Sequence, residues 1–347
     1  MKVNKCLFLP KSLWLDKAVS SRRALPRSAA RSPMAELRTA CRGLKFREHD
    51  IARQLDERGR YELPLERDFP FHIALYHLRS GRFTPVWNWH ERLELTMPLD
   101  GPLHMRMGDQ SVTTWPGDLL VVDNLKLHNY EDFPGFDTRV VTITFLPEFV
   151  YMPGAPSCDY AFLLPFYNRA EADVHRLRAT DAAAAPVTRA LVELLRCYFD
   201  EGDRVHAQSG CKVAFLQILH HLMRRFGPSA MLRSEFVQRR QQAARLARLF
   251  EFVRWNYAEP ISVTQAARLV HLSPPRFMKV FRKAAGMTFV AFLTKVRLAE
   301  AQRLLRETDR TIAEIAVTTG FSDQSYFDRR FKRTFGRTPQ QYRAGGP

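Results

Sequence analysis

Phe277-Met-Lys-Val-Phe281-Arg-Lys-Ala-Ala-Gly286-Met-Thr288 returns fifty residues later as Phe327-Asp-Arg-Arg-Phe331-Lys-Arg-Thr-Phe-Gly336-Arg-Thr338. Upstream, Val263, Ala267 and Ser273 correspond to Ile312, Ala316 and Ser322, with one residue more in the second copy between its Ser and its first Phe. The chain therefore uses one helix-turn-helix device twice. Ser262 with Gln265 and Thr311 with Glu314 are spaced as capping boxes, in which a hydroxyl accepts a free amide and the residue three further on reaches back. Ser273-Pro274 and Ser322-Asp323 supply a second pair of N-caps, since proline fits the first helical position and an acid suits the positive end of the helix dipole. Gly286 and Gly336 stop those helices. Between the units, Thr288 caps an amphipathic run to Arg306 that joins them as one long helix.

On a helical wheel Phe277, Val280 and Phe281 share one face of the second helix, which turns Pro275, Met278, Lys279 and Arg282 outward. The same wheel buries Phe327 and Phe331 and exposes Ser325, Arg329 and Lys332, with Gln324 at the edge. Lys, Arg, Gln and Ser at the start of a capped helix are the groups that donate to base edges in a major groove. Charge agrees with this placement. Residues 236 to 347 carry 21 Lys and Arg against 8 acids, residues 1 to 50 carry 12 against 4, and residues 51 to 235 carry 20 against 24. A folded segment as basic as the first of these gains affinity for polyanions by releasing counterions.

Ile312-Ala-Glu-Ile-Ala316, Gly320-Phe321-Ser-Asp-Gln-Ser-Tyr-Phe327, Phe331-Lys-Arg333 and Gly336-Arg-Thr-Pro339-Gln-Gln-Tyr-Arg343 resemble the signature of the AraC family of transcription regulators. The resemblance covers residues 240 to 345. It implies two units entering successive major-groove segments, with base reading by Gln324, Ser325 and Arg329 in the second and by Pro275, Met278 and Lys279 in the first. Pro275 and Met278 lack side-chain donors, so the first unit reads through apolar contacts such as thymine methyls. The partners it implies are double-stranded promoter DNA, RNA polymerase, a small-molecule effector and a second copy of the chain, in a cytoplasmic activator.

Upstream, Leu93-Glu-Leu-Thr-Met97 and Leu103-His-Met-Arg-Met107 alternate apolar and polar residues. Asp100-Gly101, Gly108-Asp109, Pro116-Gly117 and Pro134-Gly135 punctuate them, as in an all-β barrel. Trp89-His90-Glu-Arg-Leu-Glu94, then Gly101, Trp115-Pro-Gly-Asp118 and His128 resemble the cupin or jelly-roll sensor that such regulators carry. In metal-dependent cupins the corresponding positions hold three His and one Glu; here they are Asn88, His90, Glu94 and His128, with Asn at the first ligand position. The expectation is thus an effector site of Trp87, Trp89, His90, Glu94 and His128, with flat aromatic surfaces suited to a sugar, and with no cofactor and no metal. A cupin metalloenzyme fused to a DNA-binding module is the alternative, but no nucleophile triad or phosphate-cradling loop supports catalysis.

These readings divide the chain as a multi-domain protein. Residues 1–60 form a basic extension, disordered or lying ahead of a later start at Met34; 61–155 form the barrel. Residues 156–227 carry accessory helices at Val187 to Phe199 and Cys211 to Phe226, which either cover the barrel or make a dimer contact. A linker spans 228–238, and 239–347 form an all-α double helix-turn-helix domain. Five separated cysteines with no C-x-x-C pair suit a reducing compartment, and no apolar run has membrane-spanning length.

Overall fold

A computed structural model describes residues 32–344 except 50–64, 82–89, 91, 109, 123–126, 132, 153, 155–157, 168–174, 201 and 228–232. Pro33–Pro347 pack as one continuous unit. The N-terminal half begins with helix α1 (Pro33–Ala40), then β1 (Arg47–Glu48), β2 (Phe71–Leu78), β3 (Leu93–Asp100), β4 (Leu103–Met107), β5 (Gln110–Thr114), β6 (Leu119–Val122), β7 (His128–Glu131) and β8 (Thr138–Phe145). A short α2 (Leu164–Tyr167) and β9 (Arg176–Leu177) follow, then α3 (Ala184–Tyr198) and α4 (Arg204–Phe226). The strands form a six-stranded sheet, β1-β2-β8-β3-β6-β9, facing a three-stranded sheet, β5-β4-β7.

Leu93 to Asp100 alternates in sequence, yet β3 is buried along nearly its whole length. The cause is a helical layer. Leu93, Leu95, Met97 and Leu99 face outward into a core shared with α1, α3 and α4, where Phe215 packs edge-on against Phe145 and Phe71. Leu78, Leu120, Val122 and Val140 of the large sheet meet Leu103, Met105, Met107 and Tyr130 of the small one in a second core between the sheets. Glu94 and Thr96, one residue out of phase with the leucines, therefore point between the sheets.

The helices at 184–198 and 204–226 cover the sheet: Val187, Leu191, Leu194, Leu195, Phe215, Ile218, Leu219 and Leu222 are all buried in the outer core. Two boundaries differ from the sequence reading. Residues 33–49 of the expected basic extension are folded: Leu37 and Cys41 are buried in the N-terminal core, Arg38 Nε donates to the Leu99 carbonyl at 3.1 Å, and β1 pairs in parallel with β2. Met34, Leu37, Cys41 and Leu44 recur at three- and four-residue spacing, a helical signal too short to stand out in a segment marked chiefly by its basic charge. The expected linker is helical from Arg233, where α5 (Arg233–Asn256) begins. Its Phe236 is fully buried, with ring centroids 5.4 Å from Tyr151 and Tyr167 and 5.5 Å from Tyr160. One buried aromatic thus anchors the helix in the sensor.

The C-terminal half is all helix: α6 (Val263–Leu269), α7 (Pro274–Ala285), α8 (Phe289–Glu307), α9 (Ile312–Thr318), α10 (Gln324–Phe335) and α11 (Pro339–Ala344). The distal half of α5 packs Leu246, Leu249, Phe250 and Val253 against Phe277, Phe281, Phe289 and Phe292. Leu298, Leu304 and Leu305 of α8 close a separate core with Ile315, Phe321, Phe327 and Phe331. Among the described residues no helix is long and apolar enough to cross a membrane.

Candidate nucleic-acid interface and barrel site

Caps place the two second helices. Thr311 and Glu314 form a full capping box, the Glu314 amide donating to the hydroxyl and the Glu314 carboxylate accepting from the Thr311 amide at 2.7 Å. Ser262 accepts from the Gln265 amide at 3.1 Å. The cap of α10 is Asp323, not Ser322; its carboxylate accepts from the Tyr326 amide at 2.7 Å, and Ser322 only leans on it. A charged acceptor at the positive helix end outcompetes a neutral hydroxyl. Ser273 occupies the N-cap of α7 without a side-chain bond, and Pro274 supplies the preset backbone. Gly286 and Gly336 end α7 and α10 in the left-handed conformation, at φ 71° and 74°.

The connecting helix is cross-tied. Arg297 donates from Nε to the Tyr257 carbonyl at 2.7 Å and from its terminal nitrogen to the Glu259 carbonyl at 2.9 Å. Arg303 bridges Glu300 and Glu307. Gln302 donates to the Tyr342 hydroxyl at 2.9 Å, which fastens α11 to α8.

On this frame Pro275, Met278, Lys279 and Arg282 of α7 are exposed, as are Gln324, Ser325, Arg329 and Lys332 of α10, while Phe277, Phe281, Phe327 and Phe331 are buried. Tyr326 escaped the sequence reading. It is 37% exposed at the start of α10, and Arg330 lies over its ring at 5.8 Å. Its wheel position beside Ser325 was the available signal.

In the N-terminal half, His90, Glu94 and His128 are all buried, and their donor atoms lie within 4.8 Å of one another. Asn88, Trp87 and Trp89 lie outside the described residues. Burial drives the His90 imidazole down to about 4, so it is neutral at pH 7. Its Nδ1 lies 2.9 Å from the Arg92 carbonyl and must donate there. Nε2 lies 3.2 Å from Glu94 Oε2. Burial opposes ionisation of Glu94, but the neighbouring His90 and His128 and, to a smaller degree, the Thr96 hydroxyl outweigh it and hold the carboxyl at about 2. Three buried nitrogen and oxygen donors converge here, so His90, Glu94 and His128 fit a divalent ion chemically.

The sequence reading missed the polar shell around this trio. Glu94 Oε1 accepts from Thr96 at 2.8 Å and from Tyr130 at 3.2 Å, and Thr142 lies 3.3 Å from the Tyr130 hydroxyl. His49, brought in behind β1, sets its ring 4.8 Å from Tyr76 and 4.6 Å from Tyr130. Thr144 pairs with Glu94 in register, and its buried hydroxyl has no hydrogen-bond partner among the described residues. Alternation through Glu94 and Thr96 marked this face; the pairing with Thr142 and Thr144 needed the register. A separate cavity of about 340 Å3 opens beside β2 and the α3–α4 connection, where the Tyr198 hydroxyl lies 2.9 Å from His72 Nδ1.

A duplicated, capped helix-turn-helix on one connecting helix is the architecture of a DNA-binding domain. Residues 266–345 match a family model described as a helix-turn-helix domain, and this C-terminal domain is of the AraC type. Among curated relatives, the uncharacterized HTH-type transcriptional regulator YpdC of Escherichia coli K12 is 36% identical over 93 residues, 27% of this chain and 33% of that protein. The transcriptional activator RhaS of Enterobacter sp. strain 638 is 28% identical over 146 residues, 42% of this chain and 50% of that protein. The matched segments thus span a third to a half of these relatives. Fatty-acid-bound ToxT of Vibrio cholerae superposes over 81% of this chain and 97% of that one, at 14% identity and a TM-score of 0.46.

Proposed function

We propose that the chain is a sequence-specific DNA-binding transcription regulator, acting as an activator, whose barrel answers to a small-molecule effector. The observation that carries it is the pair of repeat-equivalent helices, α7 and α10, each capped at its start and presenting Lys279 and Arg282 or Arg329 and Lys332 to solvent from one connecting helix. Two reading helices on one rod suit neighbouring major-groove segments about one helical turn apart. The matching relatives, a transcriptional regulator and a transcriptional activator, support the same reading over the activity of a fused metalloenzyme.

The effector site of this reading is built on His90, Glu94 and His128 beside the buried Thr144 hydroxyl, and takes a small polar metabolite such as a sugar. RNA polymerase and a second copy of the chain are the protein partners of this reading. α4, with exposed Val205 and Val213, offers the dimer face. Selection of bound duplexes from a random pool by the full chain tests the core of the proposal. The expected result is enrichment of one motif with two half-sites about 10 base pairs apart. A pool that stays random after selection overturns it.

A further inference from the structure

The cavity beside β2 is separate from the His90–Glu94–His128 site and from both reading helices. Among the described residues β1 covers β2 only at Tyr76 and His77, which leaves the outer edge of β2 open around Phe71 and His72. The α3–α4 connection closes over that edge and encloses about 340 Å3, within the range of small-molecule sites, roughly 300–1,000 Å3.

The lining is graded from apolar to charged. Leu65, Phe69 and Phe71 make an apolar wall, with the Phe69 and Phe71 rings edge-on at 5.7 Å, and the thiols of Cys197 and Cys211 add soft apolar surface from the two helices. The Tyr198 ring stands edge-on to Phe71 at 6.1 Å, and its hydroxyl, 2.9 Å from His72 Nδ1, ties α3 to the strand. Burial, helped by the nearby charges of Arg92 and Arg47, holds His72 below its ordinary value, so it adds no positive charge of its own at neutral pH.

Glu66, Asp200 and Arg204 line the cavity from its solvent-exposed side and form its mouth. Arg204 pairs with Glu66, while the Asp200 carboxylate is held by the Gly202 amide at 3.1 Å and makes no ion pair among the described residues. The mouth thus carries two acids against one base, and the C-terminal end of α3 adds the negative end of its dipole. The positive start of α4 is met by its own cap, since Asp203 accepts from the His206 amide at 2.8 Å. A cation deep in the cavity would meet Arg47 and Arg92, and an anion would meet Asp200 and Glu66 on entry. What fits is an apolar body turned inward and a positive charge turned outward.

We infer that this cavity is a binding site for a small organic amine, whose apolar body lies against Phe69 and Phe71 and whose ammonium group sits at the mouth between Asp200 and Glu66. Aromatic faces and carboxylates together recognise such a cation. The site does not depend on the reading of the chain as a DNA-binding regulator.

The test uses the full chain, with phenethylamine as probe and phenethyl alcohol and phenylacetate as its neutral and anionic counterparts. Calorimetry reads affinity, and the shift in melting temperature reads binding to the folded state. Asp200→Asn removes a charge from the mouth, and Ala207→Leu fills the cavity from α4. Glu193→Gln, exposed on α3 and paired with Arg196 outside the cavity, is the control.

The expected result is saturable binding of the amine, about fivefold weaker binding of the alcohol, and none of phenylacetate. Asp200→Asn should bring the amine to the level of the alcohol, Ala207→Leu should abolish binding of both, and Glu193→Gln should match wild type. Equal affinity for the three probes, no amine binding in the wild type, or amine binding unchanged by Asp200→Asn overturns the proposal. If Ala207→Leu fails to fold, the comparison of Asp200→Asn with Glu193→Gln decides alone; if it folds and still binds the amine, the cavity is not the site.

Discussion

His271 and Gly320 stand at the same place in their units, two residues before Ser273 and Ser322, and both adopt left-handed backbone, at φ 56° and 83°. The turn geometry demands that conformation in each copy; the surroundings decide which residue can supply it. His271 is exposed, whereas a Cβ at position 320 would lie 2.6 Å from the Ala258 carbonyl oxygen. Gly320→Ala is therefore expected to cost more than about 2 kcal/mol, from left-handed strain plus a backbone clash. His271→Gly should change stability by less than about 1 kcal/mol, because relief of strain is offset by the entropy of the unfolded chain. Urea unfolding measures both; equal costs would show that the Ala258 approach is unimportant. At the reading surface, Arg329→Ala should cost about 1–3 kcal/mol on a selected duplex and relax preference at one base position. Lys332→Ala should weaken all sequences alike and reduce the salt slope by about one. Competition binding on duplexes altered one base pair at a time separates the two. An Arg329→Ala protein that keeps wild-type selectivity removes Arg329 from the groove.

Helices differ in how much of their start depends on a side chain. α10 begins with a charged cap bonded to its backbone, while α7 begins with Pro274 and a Ser273 hydroxyl that makes no cap bond. Asp323→Ala should thus cost about 1 kcal/mol in thermal or urea unfolding, whereas Ser273→Ala should fall within a few tenths of wild type. The reverse ranking would mean that the two caps have exchanged roles in solution. The repeat made these elements legible because duplication doubled each weak signal: caps, phenylalanine spacing and terminal glycines agreed in both copies. The strand order was less legible. β3 alternates in sequence but is covered on both faces, and only α1, α3 and α4, whose docking no short-range pattern encodes, reveal why. The start of α5 was hidden for the same reason, since Phe236 and Val237 stand alone among polar residues until three tyrosine neighbours of Phe236 arrive from 151, 160 and 167.

For the whole molecule, two buried histidines make sensor stability depend on pH. Burial holds His49 and His90 at about 4 in the folded state, against an ordinary value of 6.5. The unfolded chain therefore takes up protons first as pH falls, and the folded state loses stability between about 6.5 and 4. The sensor transition should melt lower at pH 5 than at pH 7, and His49→Phe, if it folds, should flatten that dependence; a melting temperature constant over this window argues against two buried neutral imidazoles. The DNA-binding half should behave differently. Its two cores are built from residues at and beyond Ala243, and apart from Leu127 and Tyr167 no described sensor residue enters them. A fragment starting at Gln241, past the anchor Phe236, discards the part of α5 that would expose an aromatic while keeping Leu246, Leu249, Phe250 and Val253 for the first unit. Such a fragment should fold as a helical domain and bind DNA with affinity that falls steeply with salt, since nearly all the basic excess of segment 236–347 lies within it. Circular dichroism and salt-dependent binding report the two properties. A fragment that is unfolded would mean that the sensor completes the first unit through Leu127, and one that folds but binds independently of salt would mean that the exposed Lys and Arg of α7 and α10 do not face phosphate or base.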